Sequence, residues 1–321
     1  MWRIADPVPP HLFCSPMTLA NAAHMQGKGM RKTWNSVNTP RRHESITKRS
    51  EAPLFDTLGL ASSTRSAAMQ SLARSFVAYF VLVASAALGV VFSVPLVLSF
   101  RLRQWFFARI YRVVQAIFDE CWNPMRKDVM AYLDNMQSHD EELREKGLLR
   151  VLELGAAYGG NFPFIRRRIE YWNVDPNKDF QAAFRHQLKK YPKVQLKRHI
   201  IGYGEDMHEL PDEYFDAVVM TFVLCSAKDG AKVLQEVKRV LAKGGRLVFV
   251  EHVAHPKGSP ARLLQHLSTF FSAALVGGGC HQNRESWLVL EAARFSKLEM
   301  KEANVDLPYF FSRNFCGYAE K

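Results

Sequence analysis

Cysteine is scarce and scattered in this chain, with five in 321 residues, at positions 14, 121, 225, 280 and 316. No Cys-x-x-Cys pair occurs, which excludes a zinc ribbon and a disulfide scaffold and leaves free thiols in a reducing compartment. Acidic residues are also in short supply, 31 Asp+Glu against 43 Lys+Arg, for a formal charge of +12. The shortage is uneven: residues 1–75 hold ten basic residues and four acidic ones, whereas 151–321 hold twenty-four and nineteen. Half of the excess therefore sits in the N-terminal tail, the remainder is only mildly basic, and no nucleic-acid partner is expected. Charge of either sign is missing altogether between Phe76 and Phe100. What is present is apolar material, 48% of the chain, enough for a full core and incompatible with a wholly disordered protein.

Residues 1–75 are rich in Ser, Thr, Arg and Pro without a sustained apolar period, which predicts a disordered basic tail. The composition also resembles a transit peptide, although the Arg-patterned amphipathic start of one is missing. The uncharged run Phe76–Phe100 would reach about 37 Å as a helix, more than a bilayer core of about 30 Å. Arg74 precedes it, Arg101 and Arg103 follow it, and Tyr79 and Trp105 stand near its ends, where amphipathic rings favour the interface. A membrane anchor over 76–100 is expected, either spanning or, because of Pro95, a hairpin in one leaflet. Residues 101–146 read as amphipathic linker helices. Leu102, Phe106, Ile110, Val113 and Ile117 recur at helical spacing, against the membrane, against the following domain, or both. Asn123-Pro124 is expected to break this helix, with a second one from about Met125 to Lys146 closed by Gly147.

From residue 147 to 321 short apolar strands alternate with helices, the pattern of an α/β domain with a parallel sheet. Leu148–Leu154 reads as a buried strand and leads into the small-residue turn Gly155-Ala-Ala-Tyr-Gly159-Gly160. Asp175 stands twenty residues beyond Gly155, at the end of the second strand. A tight turn that lets backbone approach a ligand, followed at that spacing by an acid for ribose hydroxyls, is the pattern of a nucleotide-type site. Further strands are expected at Val194–Ile201, Phe215–Thr221 and Arg246–Val250, with a helix over Ala231–Leu241. Ligands of open parallel sheets bind beyond the carboxyl ends of the strands. Gly155–Gly159, Asp175, Glu205–Met207, Phe222–Ser226 and Glu251-His252 all fall there.

Glu153-Leu154-Gly155-x-x-x-Gly159, Asp175, Gly204-Glu205-Asp206-Met207 and Val237-x-Arg239-Val240-Leu241-x-x-Gly244-Gly245 resemble the class I S-adenosylmethionine-dependent methyltransferases. More narrowly, GEDMH, VLCSAKD, GCHQNRESW, FSKLEM and the terminal GYAEK resemble the methyltransferase-like protein 7 group, the membrane-anchored thiol S-methyltransferases. The likeness covers roughly residues 70–321. It implies a Rossmann-like seven-stranded sheet with helices on both faces, S-adenosylmethionine as methyl donor and a small thiol as acceptor. It also implies residence at the endoplasmic reticulum membrane or a lipid droplet, with mitochondria the alternative if the tail is a transit peptide. The family pattern has glycine where this chain has Ala157.

The resemblance carries donor-binding roles to Glu153, Gly155, Ala157 and Gly159 around the methionine portion. It carries ribose contacts to Asp175, Pro176 and Asn177, adenine contacts to Glu205, Asp206 and Met207, and closure over the donor to Thr221 and Phe222. His252, after the fifth strand, is the candidate base for the acceptor thiol. No metal is expected, because His252-x-x-His255 has no third clear ligand. Residues 261–276 and Pro308–Phe311 are apolar and could lid the pocket or belong to the core. Two other readings share the same loops: an O- or C-methyltransferase of a lipid or quinone, and a non-catalytic membrane protein whose donor loop has decayed.

Overall fold

The computed structural model describes residues 93–271, 279–307 and 311–321, together with scattered positions between 69 and 91. The expected tail over 1–75, apart from Met69 and Ala73, lies outside the described residues, as do nine of the 25 positions of the expected anchor over 76–100. Among the described residues no helix is long and apolar enough to cross a membrane.

Chain order begins with a short helix α1 (Ser93–Leu98) and a long helix α2 (Phe100–Met130), joined at Ser99, whose hydroxyl caps α2 by accepting from the Leu102 amide. Asn123-Pro124 was expected to end this helix, yet α2 runs through Pro124. A proline inside a helix costs about 3 kcal/mol. Burial of Phe118 and Trp122 before it, and of Met125, Val129 and Met130 after it, holds both halves on one core and offsets that cost. The next helix is correspondingly short, α3 (Glu141–Glu145), capped by Asp140 accepting from the Leu143 amide. Gly147 does close it, at φ +64, where only glycine is unstrained.

The domain is built on a seven-stranded sheet in the order β3-β2-β1-β4-β5-β7-β6. The strands are β1 (Leu149–Leu154), β2 (Ile169–Val174), β3 (Val194–Ile200), β4 (Phe215–Thr221), β5 (Leu241–His252), β6 (Lys297–Asn304) and β7 (Arg313–Glu320). The first five are parallel, and β7 enters antiparallel between β5 and β6. Every residue of β1 is buried, as a central parallel strand requires. The helices are α4 (Gln181–Leu188), α5 (Gly230–Val240), α6 (Pro260–Phe271) and α7 (Ser286–Ala292). Two apolar clusters result. One, with α2 packed on it, includes Phe118, Trp122, Phe162, Tyr171 and Phe184; the other joins α5 to Leu152, Leu154, Phe215 and Phe249.

This is the Rossmann-like sheet expected from residues 147–321, with one addition. Helix α2 buries Ala108, Phe118, Cys121, Trp122 and Met125 rather than the Leu102–Val113 stripe. Leu102 and Val113, with Phe100 and Trp105, stay exposed. The strand order reverses between β1 and β4, so their carboxyl ends open a crevice. Residues 272–278 and 308–310, parts of the two apolar segments considered as lids, lie outside the described residues.

Candidate functional site: a cavity beyond the strand ends

A cavity of about 870 Å³ opens at the carboxyl ends of β1, β2, β4 and β5. Gly155, Ala157, Asp175, Pro176, Asn177, Glu205, Thr221, Phe222 and His252 line it together with residues of α2. Nine of the thirteen residues expected at the site are thus brought together.

The first turn is held by Asp175, which is 4% exposed. Its Oδ2 accepts from the Ala157 amide at 3.0 Å and its Oδ1 from the Asn177 amide at 2.8 Å. Each oxygen keeps a further lone pair, enough for one hydroxyl apiece. Burial pushes the Asp175 carboxyl up to about 6, and the two amide bonds pull back only part of that. Gly155 and Ala157 both have positive φ, +68 and +47. Glycine tolerates this; alanine pays about 1–2 kcal/mol for it. The alanine in the loop therefore occupies a position that does require the left-handed region. Phe222, at the end of β4, is also left-handed at φ +61, an uncommon state for a large side chain and one that concentrates at ligand sites.

Four expected residues are not at the cavity. Glu153 is buried beneath the turn, where its carboxylate accepts from Asn161 at 2.7 Å and from the Tyr171 hydroxyl at 2.5 Å. Burial pushes it up to about 7. Gly159 meets the Phe162 ring: a Cβ there would stand 2.3 Å from Cε2, so this glycine serves packing. Asp206 is exposed and pairs with the His208 ring at 2.8 Å, while Met207 is 3% exposed within the second apolar cluster. From this loop it is Tyr203, Gly204 and Glu205 that line the cavity instead. Glu205 is tied to the start of α5, accepting from the Lys228 amide at 2.7 Å.

Three features escaped sequence reasoning. Helix α2 roofs the cavity with Phe107, Tyr111, Phe118 and Trp122. It is stitched to the loop after β2 by Asn177 donating to the Gln104 carbonyl at 2.9 Å and Gln104 donating to the Pro176 carbonyl at 3.2 Å. Burial pushes the Tyr111 hydroxyl up to about 12. Next, Glu251, fully buried, accepts from the Val223 and Leu224 amides at 2.8 Å each and so shapes the loop after β4. Finally, that loop carries Cys225 to His252, and the segment before α7 brings Cys280 to both. His252 Nε2 lies 2.8 Å from Cys280 Sγ, and the two sulfurs are 3.7 Å apart. His255, the partner considered from the sequence, faces away: its amide donates to Gln265 and its ring lies near Ser312. The His252 ring is clasped between Phe222, stacked at 5.1 Å, and Phe311, edge-on at 5.7 Å. Burial draws its pKa down, but Cys225 and Glu251 outweigh that and the net shift is upward. Nothing within either the Val223–Ser226 or the Gly279–Arg284 stretch marked the two cysteines as neighbours, because 55 residues separate them.

A buried acid at the end of β2, a left-handed turn above it and a cavity continuing to β4 and β5 suit a nucleoside bearing a methionine arm. That is the donor site of a class I S-adenosylmethionine-dependent methyltransferase. Residues 152–249 match the family model described as a methyltransferase domain. Over 198 residues the chain is 38% identical to the thiol S-methyltransferase TMT1B of Rattus norvegicus, spanning 56% of this chain and 81% of that protein. Human TMT1B is likewise 38% identical over 200 residues, and human TMT1A is 36% identical over 176, covering 72% of its length. The chain belongs to this family of S-adenosylmethionine-dependent methyltransferases.

Proposed function

We propose that the enzyme methylates the sulfur of small apolar thiols while attached to a membrane. The observation that carries this reading is one cavity that joins the donor residues Gly155, Ala157 and Asp175 to the Cys225–His252–Cys280 cluster under an aromatic roof. Relatives that share most of its domain are named thiol S-methyltransferases.

When bound, the donor supplies an electrophilic sulfonium methyl group. Asp175 would hold its ribose through both oxygens, and Gly155 and Ala157 would let the backbone approach its methionine arm. Thr221 and Phe222 would close over it from the end of β4. The chain's remaining task is to present an ionised sulfur. An apolar, water-poor cavity favours a step in which a thiolate and a sulfonium neutralise one another. Phe107, Tyr111, Phe118 and Trp122 supply such walls and exclude large hydrated acceptors. An aliphatic thiol is mostly protonated at neutral pH, so a group that lowers the cost of ionising it is needed. His252 is the imidazole at the acceptor end of the cavity and takes that role.

Attachment is proposed to use residues 76–100, with the exposed Phe100, Leu102, Trp105 and Val113 of α2 continuing the apolar surface. The endoplasmic reticulum membrane or a lipid droplet is the proposed site. Methyl transfer from isotopically labelled S-adenosylmethionine to a panel of thiols, with full-length protein in detergent, tests the reading. Labelled thioether from apolar thiols is expected, and none from charged ones of equal pKa.

A further inference from the structure

Cys225, His252 and Cys280 each point a metal-ligating atom at the same spot, all within 4.8 Å of one another. We propose that these three side chains bind one zinc ion, with the fourth coordination position open to the cavity for the acceptor thiol. The proposal rests on the thiol-methyltransferase reading above and names how that site prepares its substrate.

The spacing suits the ion. Zinc–sulfur bonds of about 2.3 Å at a tetrahedral angle place two sulfurs about 3.8 Å apart. The Cys225 and Cys280 sulfurs stand 3.7 Å apart, far beyond a disulfide's roughly 2.05 Å. The imidazole is closer than a ligand set requires. Nε2 is 2.8 Å from Cys280 Sγ, and it would back off by about 0.7 Å to admit an ion between them. The donor chemistry selects the metal: two sulfurs and one imidazole are soft, and calcium or magnesium would want oxygen. Two Cys and one His with a vacant fourth position form the donor set of a catalytic rather than a structural zinc site.

Charge also closes. Two thiolates balance the dication, so the site is neutral before the acceptor enters, and the single negative charge that the acceptor thiolate adds is matched by the donor's sulfonium. Both cysteines and the histidine line the cavity, so an entering thiol reaches the open position directly. On entering, the thiol displaces solvent from the ion, its sulfur takes the fourth position, and its proton leaves to bulk water. The zinc–water and S–H bonds break, a zinc–sulfur bond forms, water and a proton leave to solvent, and no electrons are exchanged. Glu251 positions this site by holding the Val223, Leu224 and Cys225 amides. The His252 Nδ1 atom is buried with no hydrogen-bond partner among the described residues, and Phe222 and Phe311 pack on the ring to orient it.

The test uses full-length protein, stripped of metal and reduced, titrated with Zn²⁺ against a chromogenic chelator and separately loaded with Co²⁺. One equivalent of zinc is expected. The cobalt form should show tetrahedral d–d bands and a thiolate-to-cobalt charge-transfer band that shifts when an aliphatic thiol is added. Cys225→Ser, Cys280→Ser and His252→Asn should each weaken zinc by more than the 10–100-fold that losing an outer-shell partner costs. Cys316→Ser, outside the cluster, should leave it unchanged. The wild-type stoichiometry and spectrum decide the matter even if a variant misfolds. Absence of stoichiometric zinc, cobalt bands without thiolate character, or a Cys225–Cys280 disulfide in the protein as isolated, before any reductant is added, would overturn the site. S-adenosylmethionine binding, measured by calorimetry on the same samples, separates the two claims. Donor binding without zinc removes only the ion, and zinc without donor binding removes the methyltransferase reading of the cavity.

Discussion

The Asp175 carboxylate accepts a hydrogen bond from the Ala157 amide at 3.0 Å, tying the acid at the end of β2 to the one loop residue that departs from the family's glycine pattern. Ala157 makes this bond with its backbone in the left-handed region, at φ +47. An alanine thus bears the strain of this turn.

Ala157→Gly should stabilise the protein. Relief of a left-handed alanine is worth about 1–2 kcal/mol, less the roughly 0.4–1 kcal/mol that glycine adds to unfolded-chain freedom. A gain on the order of 0.5–1 kcal/mol in denaturant unfolding is expected. A loss would show that the methyl group makes contacts that outweigh the strain.

Donor binding should depend on pH through Asp175. Burial places its carboxyl at about 6 in the ligand-free protein, and only the ionised form offers both oxygens to hydroxyls. Affinity should therefore be level above about 6.5 and fall by about tenfold per pH unit below 5.5, the slope of one linked proton. Asp175→Ala should bind too weakly to measure. A flat profile in the wild type, or a retained profile in the variant, removes Asp175 from the site.

Gly159→Ala should destabilise without any bearing on the donor. The new Cβ would lie 2.3 Å from the Phe162 ring, in a backbone at φ +82. A loss of about 2–4 kcal/mol is expected from overpacking together with the left-handed strain. Thermal unfolding measures it, and an unchanged midpoint would refute the packing role.

The fold was largely legible because buried parallel strands read as apolar runs and the turn-plus-acid spacing fixes β1 and β2. Leu149–Leu154 and Asp175 carry that information locally. Helix α2 misled because Pro124 is a strong local breaker, and only the tertiary burial of Trp122 before it and Met125 after it overrides the signal. At the site, the turn-to-acid spacing of Gly155 and Asp175 already marked two residues that line the cavity. Asp206 and Met207 were not separable from Glu205 by sequence, since which of three adjacent loop residues faces a cavity depends on packing. The approach of Cys280 to His252 joins distant segments, and no local pattern encodes it.

His252→Asn should slow methylation of thiols with pKa above 9 by about 100-fold, the scale of assisted ionisation, whether the imidazole takes the proton itself or holds the zinc ion that ionises the thiol in its place. Thiols already ionised at neutral pH should lose far less. Equal losses across the panel would make His252 a packing residue for Phe222 and Phe311.

Deleting residues 76–100 should release the protein from membranes to the soluble fraction. Continued sedimentation with membranes would refute the proposed anchor and turn attention to the exposed face of α2.

The most direct test is product analysis after full-length protein in detergent turns over labelled S-adenosylmethionine with matched thiol, phenol and quinol acceptors of similar size and apolarity. The account predicts labelled thioether from the thiol, abolished by Asp175→Ala, and little transfer to the oxygen or carbon acceptors. Labelled ether or C-methylated quinol in place of the thioether would contradict it.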